Sequence, residues 1–170
     1  MLLEELVALS QKIHLEVYDF VAEAEKAKEF GVDKIPATIL SGKDEYKVRF
    51  FGIPSGYEFT TLIEDIVDVS KGKSRLPPQL LNKVKSITKP IHIQVFVTPT
   101  CPYCPKVVRV AHQLAIENPN ITADMVESIE FPHLANRYSV MAVPKTIIND
   151  KIEFVGALPE EQFIDYVLKA

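Results

Sequence analysis

The chain has two cysteines, and both fall in one short run, Cys101-Pro102-Tyr103-Cys104. A structural disulfide stabilises mainly by closing a long loop in the unfolded chain, so a bridge across two intervening residues contributes little. A pair at this spacing in a reducing compartment is more often redox-active or metal-binding. A structural zinc site takes four ligands, and this pair offers two. No further cysteine exists, and His92, His112 and His133 form no second spaced pair. No metal and no other cofactor is therefore expected, and the histidines read as surface or partly buried residues. No Ser-His-Asp arrangement and no phosphate-binding glycine loop is evident.

Thiol chemistry at this place has a physical basis. The first four N–H groups of a helix lack internal partners, and together with the macrodipole they favour negative charge. A thiolate there is stabilised, and its pKa falls below that of a free cysteine. The strand-like run Ile91 to Val97 followed by a helix from about residue 102 to 117 puts Cys101 in the cap region. Cys104 then lies in the first turn, on the same side and within reach of a mixed disulfide on Cys101. Pro102 suits the first helical position, where no backbone bond is lost. Pro105 falls in the same turn. Lys106, Arg109 and His112 read as solvated helix-surface groups that add positive potential.

A second signal is a pair of prolines, Pro36 and Pro144, each between a β-branched residue and a strand. A cis bond at a strand entry would present backbone to a substrate. A trans proline opening a strand is the plainer alternative. Both readings are open at this point.

The elements that would hold these residues follow from periodicity. Leu2, Leu3, Leu6 and Val7 share a helical face over residues 1–11. Residues 13–18 alternate as a strand, and residues 20–30 form a helix that stops at Gly31. Residues 38–40 and 47–51 form a hairpin. Phe59, Leu62, Ile63, Ile66 and Val67 line a further helix. Residues 71–78 break the pattern with Gly, Ser, two prolines and three cations, which marks a linker. Leu80, Leu81 and Val84 share the next helical face. After the cysteine helix, Asn118-Pro119-Asn120 is a stop. Residues 121–126 read as a strand and 132–138 as a short helix. Residues 146–148 and 152–155 form a second hairpin, and Phe163, Ile164, Val167 and Leu168 line a last helix.

The two halves repeat. Val32-Asp33-Lys34-Ile35-Pro36-Ala37-Thr38-Ile39 matches Val140-Met141-Ala142-Val143-Pro144-Lys145-Thr146-Ile147, and Phe51-Gly52 matches Val155-Gly156. In this register Met1 falls on Arg109, so the first unit starts after the place of its own cysteine pair and lacks the preceding strand. Either another chain fills that gap, which would make a homo-oligomer, or the sequence belongs to a longer protein. The expected division is residues 1–72, an incomplete unit without a cysteine pair, and 73–170, the unit that carries it.

Bulk properties narrow the partners. The 170 residues are 47% hydrophobic and 25% charged, with net charge −4 and no basic block. Nucleic-acid binding is not expected. No apolar run approaches the roughly 20 residues of a membrane helix. The acidic start, Met1-Leu2-Leu3-Glu4-Glu5, does not read as a signal peptide. A cytoplasmic protein is the default.

Taken together, the strand, Thr98-Pro99-Thr100-Cys101-Pro102-Tyr103-Cys104-Pro105, the helix and Val143-Pro144-Lys145-Thr146 resemble the thioredoxin/glutaredoxin superfamily. The duplication and the run from Phe96 to Pro105 resemble the protein disulfide oxidoreductases of archaea and thermophilic bacteria, over essentially the whole chain. The resemblance implies an α/β fold of two tandem thioredoxin-like units, with mixed central sheets flanked by helices. It implies that Cys101 attacks and Cys104 resolves. Pro144 would be a cis-proline facing the pair, and Val143, with Pro102 and Tyr103, would meet substrate. Three departures matter. The first unit lacks its cysteine pair. Val95 stands where thioredoxins hold a buried Asp, so another proton acceptor, or water, must serve. Thr98 and a single Gly156 replace glutaredoxin features, which points away from glutathione as the direct reductant.

Three functions compete. The leading one is an enzyme exchanging protein disulfides, reduced by a thioredoxin-reductase-like flavoprotein. The second is an electron relay to a peroxiredoxin, resembling the N-terminal region of the alkyl hydroperoxide reductase flavoprotein. The third is a binding domain in which the cysteines do nothing.

Overall fold

The computed structural model describes residues 2–170. Two compact units divide the chain, Met1–Ile35 and Pro36–Ala170. The first holds α1 (Leu2–Ala8) and α2 (Ala24–Glu29). The strand expected over residues 13–18 is absent: these residues have no regular structure, and Val17 is largely exposed. Alternation alone makes no strand, because a strand exists only as a member of a hydrogen-bonded ladder. The helix expected from residue 20 starts four residues later. The Asp19 carboxylate accepts the backbone N–H groups of Val21 and Ala22 at 2.9 and 2.7 Å, holding a turn there instead.

The second unit is built on one mixed sheet. Its strands are β1 (Ala37–Ser41), β2 (Glu45–Phe51), β3 (Ile91–Val97), β4 (Ile121–Glu127), β5 (Lys145–Ile148) and β6 (Ile152–Val155), in spatial order β1-β2-β4-β3-β5-β6. β4 runs parallel to both β2 and β3, while the hairpins β1/β2 and β5/β6 and the β3/β5 pair are antiparallel. Parallel neighbours need a crossover. The one from β3 to β4 is α5 (Cys104–Glu117), which packs on β2, β3 and β4. β3 and β4 are buried almost throughout, as central strands covered on both faces must be.

The repeat is visible in the hairpins. Gly52 N–H donates to Pro36 O at 2.9 Å, and Gly156 N–H donates to Pro144 O at 2.8 Å. Both glycines adopt positive φ, 93° and 98°. The hairpins thus close the sheet at its two edges with the same turn-in bond.

Three further helices pack in this unit: α3 (Glu58–Lys71), α4 (Pro78–Lys85) and α7 (Glu160–Val167). α6 (Pro132–Arg137) leads toward β5. The apolar stripe expected on α3 is only partly right. Its buried face is Glu58, Thr61, Leu62, Asp65, Asp68 and Val69, while Val67 is exposed. The composition break after residue 71 is not loose chain. Ser74 and Arg75 donate their backbone N–H groups to Glu117 and Gln113 of α5 at 2.7 and 3.0 Å, and Leu76 is buried. Pro77 and Pro78 then start α4, where a missing N–H costs nothing. No helix among the described residues is long and apolar enough to cross a membrane.

Asn118 shows how a stop signal is used. It ends α5, is almost fully buried, and its side-chain amide donates to Val84 O and Ile87 O, both at 2.8 Å, satisfying the end of α4. Its own Oδ1 accepts Asn120 N–H at 2.9 Å. Asn118→Ala removes both of these bonds and the one to Asn120, although Val84 O keeps the Ile87 N–H at 3.1 Å and Ile87 O the Asn120 amide at 3.2 Å; urea denaturation is expected to show a loss of about 2 kcal/mol.

Candidate active site

β3 delivers the cysteines. After Val97, Thr98-Pro99-Thr100 turns the chain, and Cys101 N–H donates to Thr98 O at 3.2 Å. Cys101 and Cys104 are joined by a disulfide, with Cα atoms 5.5 Å apart. The helix begins at Cys104, two residues later than expected, so Pro102 and Tyr103 occupy the turn and Pro105 the first helical turn. No side chain caps α5 in the ordinary way. Instead the Cys101 sulfur accepts the Cys104 N–H at 3.2 Å. A backbone donor at the helix start is thus aimed at Cys101 Sγ, as stabilisation of a thiolate requires.

The two sulfurs are not equivalent. Cys104 is 0% exposed and Cys101 7% exposed, and Tyr103 beside them is 69% exposed. Pro102 is exposed as well. The one cis peptide bond among the described residues joins Val143 to Pro144, so Pro36 follows a trans bond. The β3/β5 register pairs Phe96 with Lys145, which brings Pro144 to the end of β3 from which the cysteine loop emerges. Pro144 is buried and Val143 half-buried. Lys145 pins the approach: its ammonium donates to Tyr138 O at 2.7 Å and pairs with Glu153 at 3.1 Å.

Arg109 and His112 are not the solvated surface groups expected. Both are buried on α5 and paired with acids of α3. The Arg109 guanidinium pairs with Asp65 and Asp68, and its Nε lies 3.1 Å from Glu64. Burial works against its charge, but Asp65 and Asp68 outweigh that and raise its pKa. His112 Nδ1 lies 2.5 Å from Asp65 Oδ2. His92 is also paired, at 2.6 Å from the buried Asp124, which Arg49 holds at 2.7 Å. Burial pushes the Asp124 carboxyl up, but His92 and Arg49 hold it below the ordinary carboxylate range. Among the described residues no group of three or more His, Cys, Asp or Glu side chains is arranged to hold a metal ion.

One residue was not singled out from the sequence. Glu58, at the start of α3, is 2% exposed, and neither carboxylate oxygen has a hydrogen-bond partner. Burial pushes its carboxyl up to about 7; the nearby Thr61 hydroxyl and His112 offset part of this, and Asp65 adds to it. Its position follows from two contacts. Tyr57 N–H donates to Pro99 O at 3.1 Å, so α3 starts against the cysteine loop. Gly56 (φ 61°) permits this, since a Cβ there would lie 2.2 Å from Pro99 O. Further along, Asp65 meets His112. The two helices therefore run side by side from a common end, with Glu58 the first residue of α3 and Cys104 the first residue of α5. The available signal was a helix with Glu58, Thr61, Asp65 and Asp68 on the same face as Leu62. Polar residues at core spacing demand partners.

Comparisons with known proteins bear on the fold and the family. Residues 91–169 match the thioredoxin domain family. The alkylhydroperoxide reductase protein AhpF of Enterococcus faecalis superposes with a TM-score of 0.91 at 30% identity, over 98% of this chain and 80% of that one. A protein disulfide oxidoreductase of Aeropyrum pernix superposes with a TM-score of 0.84 at 39% identity, over 90% of this chain and 67% of that one. NADH dehydrogenase of Bacillus subtilis is 29% identical over 96% of this chain, which spans 30% of the length of that relative. On its fold, its cysteine pair and these likenesses, the chain belongs to the protein disulfide oxidoreductase family of tandem thioredoxin-fold proteins.

Proposed function

We propose that the chain is a dithiol enzyme that exchanges protein disulfides through Cys101 and Cys104. The observation that carries this reading is the unequal pair at the start of α5. Cys101 keeps a small exposure of 7% and its sulfur receives a backbone N–H, while Cys104 has none exposed. In the reduced protein the Cys101 thiolate attacks one sulfur of a substrate disulfide. A mixed disulfide forms, and the first substrate thiolate leaves. Cys104 then loses its proton to Glu58 and attacks Cys101 Sγ. The second substrate thiolate leaves, and two electrons have passed to the substrate. Both substrate thiolates are protonated, and the Cys101–Cys104 disulfide remains. A flavoprotein of the thioredoxin-reductase type returns the enzyme to the dithiol. Pro102, Tyr103, Val143 and Pro144 form the substrate-facing rim, with Val143 offering backbone. The reading divides the chain into residues 1–72, which carry no cysteine, and the redox unit 73–170. Such chemistry suits a reducing compartment, the cytoplasm.

The test is reduction of insulin by dithiothreitol, followed as precipitation. The intact chain is expected to accelerate it and Cys101→Ser to abolish the acceleration. Cys104→Ser, which keeps the attacking sulfur, is expected to accumulate a covalent adduct with insulin that thiols release. No acceleration by the intact chain overturns the reading.

A second reading is favoured by the likeness to the Enterococcus AhpF chain. In it the same cysteines relay electrons from a flavoprotein to a peroxiredoxin. Peroxide turnover by a reconstituted peroxiredoxin that depends on this chain and on Cys101, with insulin left untouched, would select it.

A further inference from the structure

Val143 and Pro144 flank Cys101 on one side only, that of β5. The opposite side is built from other parts of the chain. β2 runs parallel to β4 and β4 to β3, so the turns that follow these strands emerge at the same end of the sheet, in the spatial order β2, β4, β3. This is the end at which the chain leaves β3 for Cys101. The turns after β2 and β4 each hold large apolar side chains in solvent. Ile53 is 51% exposed, Tyr57 53% and Ile129 70%.

These turns are tied to the cysteine loop and to each other. Ser128 N–H donates to Val97 O at 2.9 Å, just as Tyr57 N–H reaches Pro99 O. The Glu130 carboxylate accepts Ile53 N–H at 2.7 Å. Glu127, which is buried, accepts the N–H groups of Ile129 and Glu130 at 3.1 and 2.7 Å. A Cβ at Gly52 would lie 2.6 Å from Glu127 Cβ, so the β2 turn packs directly on the β4 turn. The fold itself does not call for isoleucine there. The matching turn of the second hairpin makes the same glycine bond and carries Ala157 in the place of Ile53. Large apolar side chains held out beside a reactive site mark a contact surface, and a fixed backbone lowers the cost of using it.

We infer that Ile53, Tyr57 and Ile129 form a specificity surface for an extended segment of a substrate protein. The apolar residues beside the substrate cysteine lie across the ends of β4 and β2, on the side of Cys101 away from Val143. Neighbouring strands are about 4.8 Å apart, so the row from β3 to β2 spans about 10 Å, the length of about three extended residues. That reach suits polypeptide and exceeds a small disulfide. The inference deepens the disulfide-exchange reading and rests on it for the attacking sulfur.

The test uses the reduced full chain and two synthetic peptides. Each peptide has one cysteine, joined as a mixed disulfide to a coloured nitrothiobenzoate. One places Leu and Val on both sides of the cysteine, the other Ser and Asn. Attack by Cys101 on the peptide sulfur breaks the disulfide and releases the coloured thiolate, the better leaving group, which stopped flow records. The wild type is expected to react about tenfold faster with the apolar peptide. Ile53→Ser combined with Ile129→Ser is expected to react equally with both peptides. Its rate on the plain nitrobenzoate disulfide is expected to stay within about twofold of the wild type, which also shows that it folds. A wild type without preference, or a double variant that keeps it, overturns the inference. A double variant slowed equally on all three substrates overturns it too, because the cysteine loop itself is then disturbed. If the wild type reacts with none of them, the redox reading fails and binding decides the surface. Fluorescence anisotropy then follows the same peptides with serine in place of cysteine. Tighter binding of the apolar peptide that the double variant loses supports the surface, and equal binding of both peptides overturns it.

Discussion

At about pH 8, Glu58→Gln is expected to be more stable than the wild type by about 3 kcal/mol and to exchange disulfides at least tenfold more slowly. The stability half follows from linkage. The carboxyl has an ordinary value of 4.5 and titrates at about 7 in the folded protein, chiefly because burial disfavours its charge. A raised acid favours folding in its protonated form. That contribution is full below about pH 4.5 and is lost as the pH rises through about 7. Each unit of displacement is worth about 1.4 kcal/mol, so some 2.5 units give about 3 kcal/mol. Glutamine has the same shape and no charge to bury. The two proteins are expected to have nearly equal stability at about pH 4.5 and to diverge as pH rises, measured by urea denaturation across that range. The rate half tests the proton-acceptor role. Loss of a positioned base costs roughly 100-fold or more in many enzymes, and tenfold is the least that water in its place would leave. Stability curves that run parallel at all pH values would remove the buried-carboxylate argument. An unchanged exchange rate would remove Glu58 from the chemistry.

Arg109→Met is expected to cost about 3–5 kcal/mol, a large part of the roughly 5–15 kcal/mol that holds a domain together. Met matches the stem of arginine in length and shape, so the loss is mainly electrostatic. Asp68 would keep Arg75 at 3.2 Å, but Asp65, 0% exposed, would keep only His112. Breaking a buried pair leaves an uncompensated charge, which is far worse than never having built the pair. Combining Arg109→Met with Asp65→Asn and Asp68→Asn is therefore expected to recover part of the loss, because no buried charge is then stranded. Urea midpoints of the single and triple variants measure this. A single variant within about 1 kcal/mol of the wild type would show that the α3–α5 ion cluster is solvated after all.

The parts of this protein that local rules govern could be read from the chain. Cys101 and Cys104 were legible as a redox pair because two cysteines at this spacing leave few other uses. The helix that starts beside them was legible from apolar residues at helical spacing. β3 was legible as a buried-type strand because Ile91, Ile93, Val95 and Val97 make one face apolar and Phe96 adds to the other. The two hairpins and their prolines were legible as a repeat because a shared turn needs the same residues at the same offsets.

What depends on partners distant in the chain could not be read. Residues 13–18 alternate like a strand and form none, since a ladder requires a neighbour that alternation cannot supply. The face of α3 was misjudged because periodicity counts apolar residues, and this helix buries Glu58, Asp65 and Asp68 against groups more than 40 residues away. Pro36 and Pro144 lie in nearly the same local sequence, yet only Pro144 follows a cis bond. The burial of Glu58 at the start of α3 was equally out of reach. Val95 in the usual acid position said only that the proton must go elsewhere. The proposed acceptor, Glu58, is buried where two helices start at the same loop, and helix packing is a property of surfaces brought together by the whole fold.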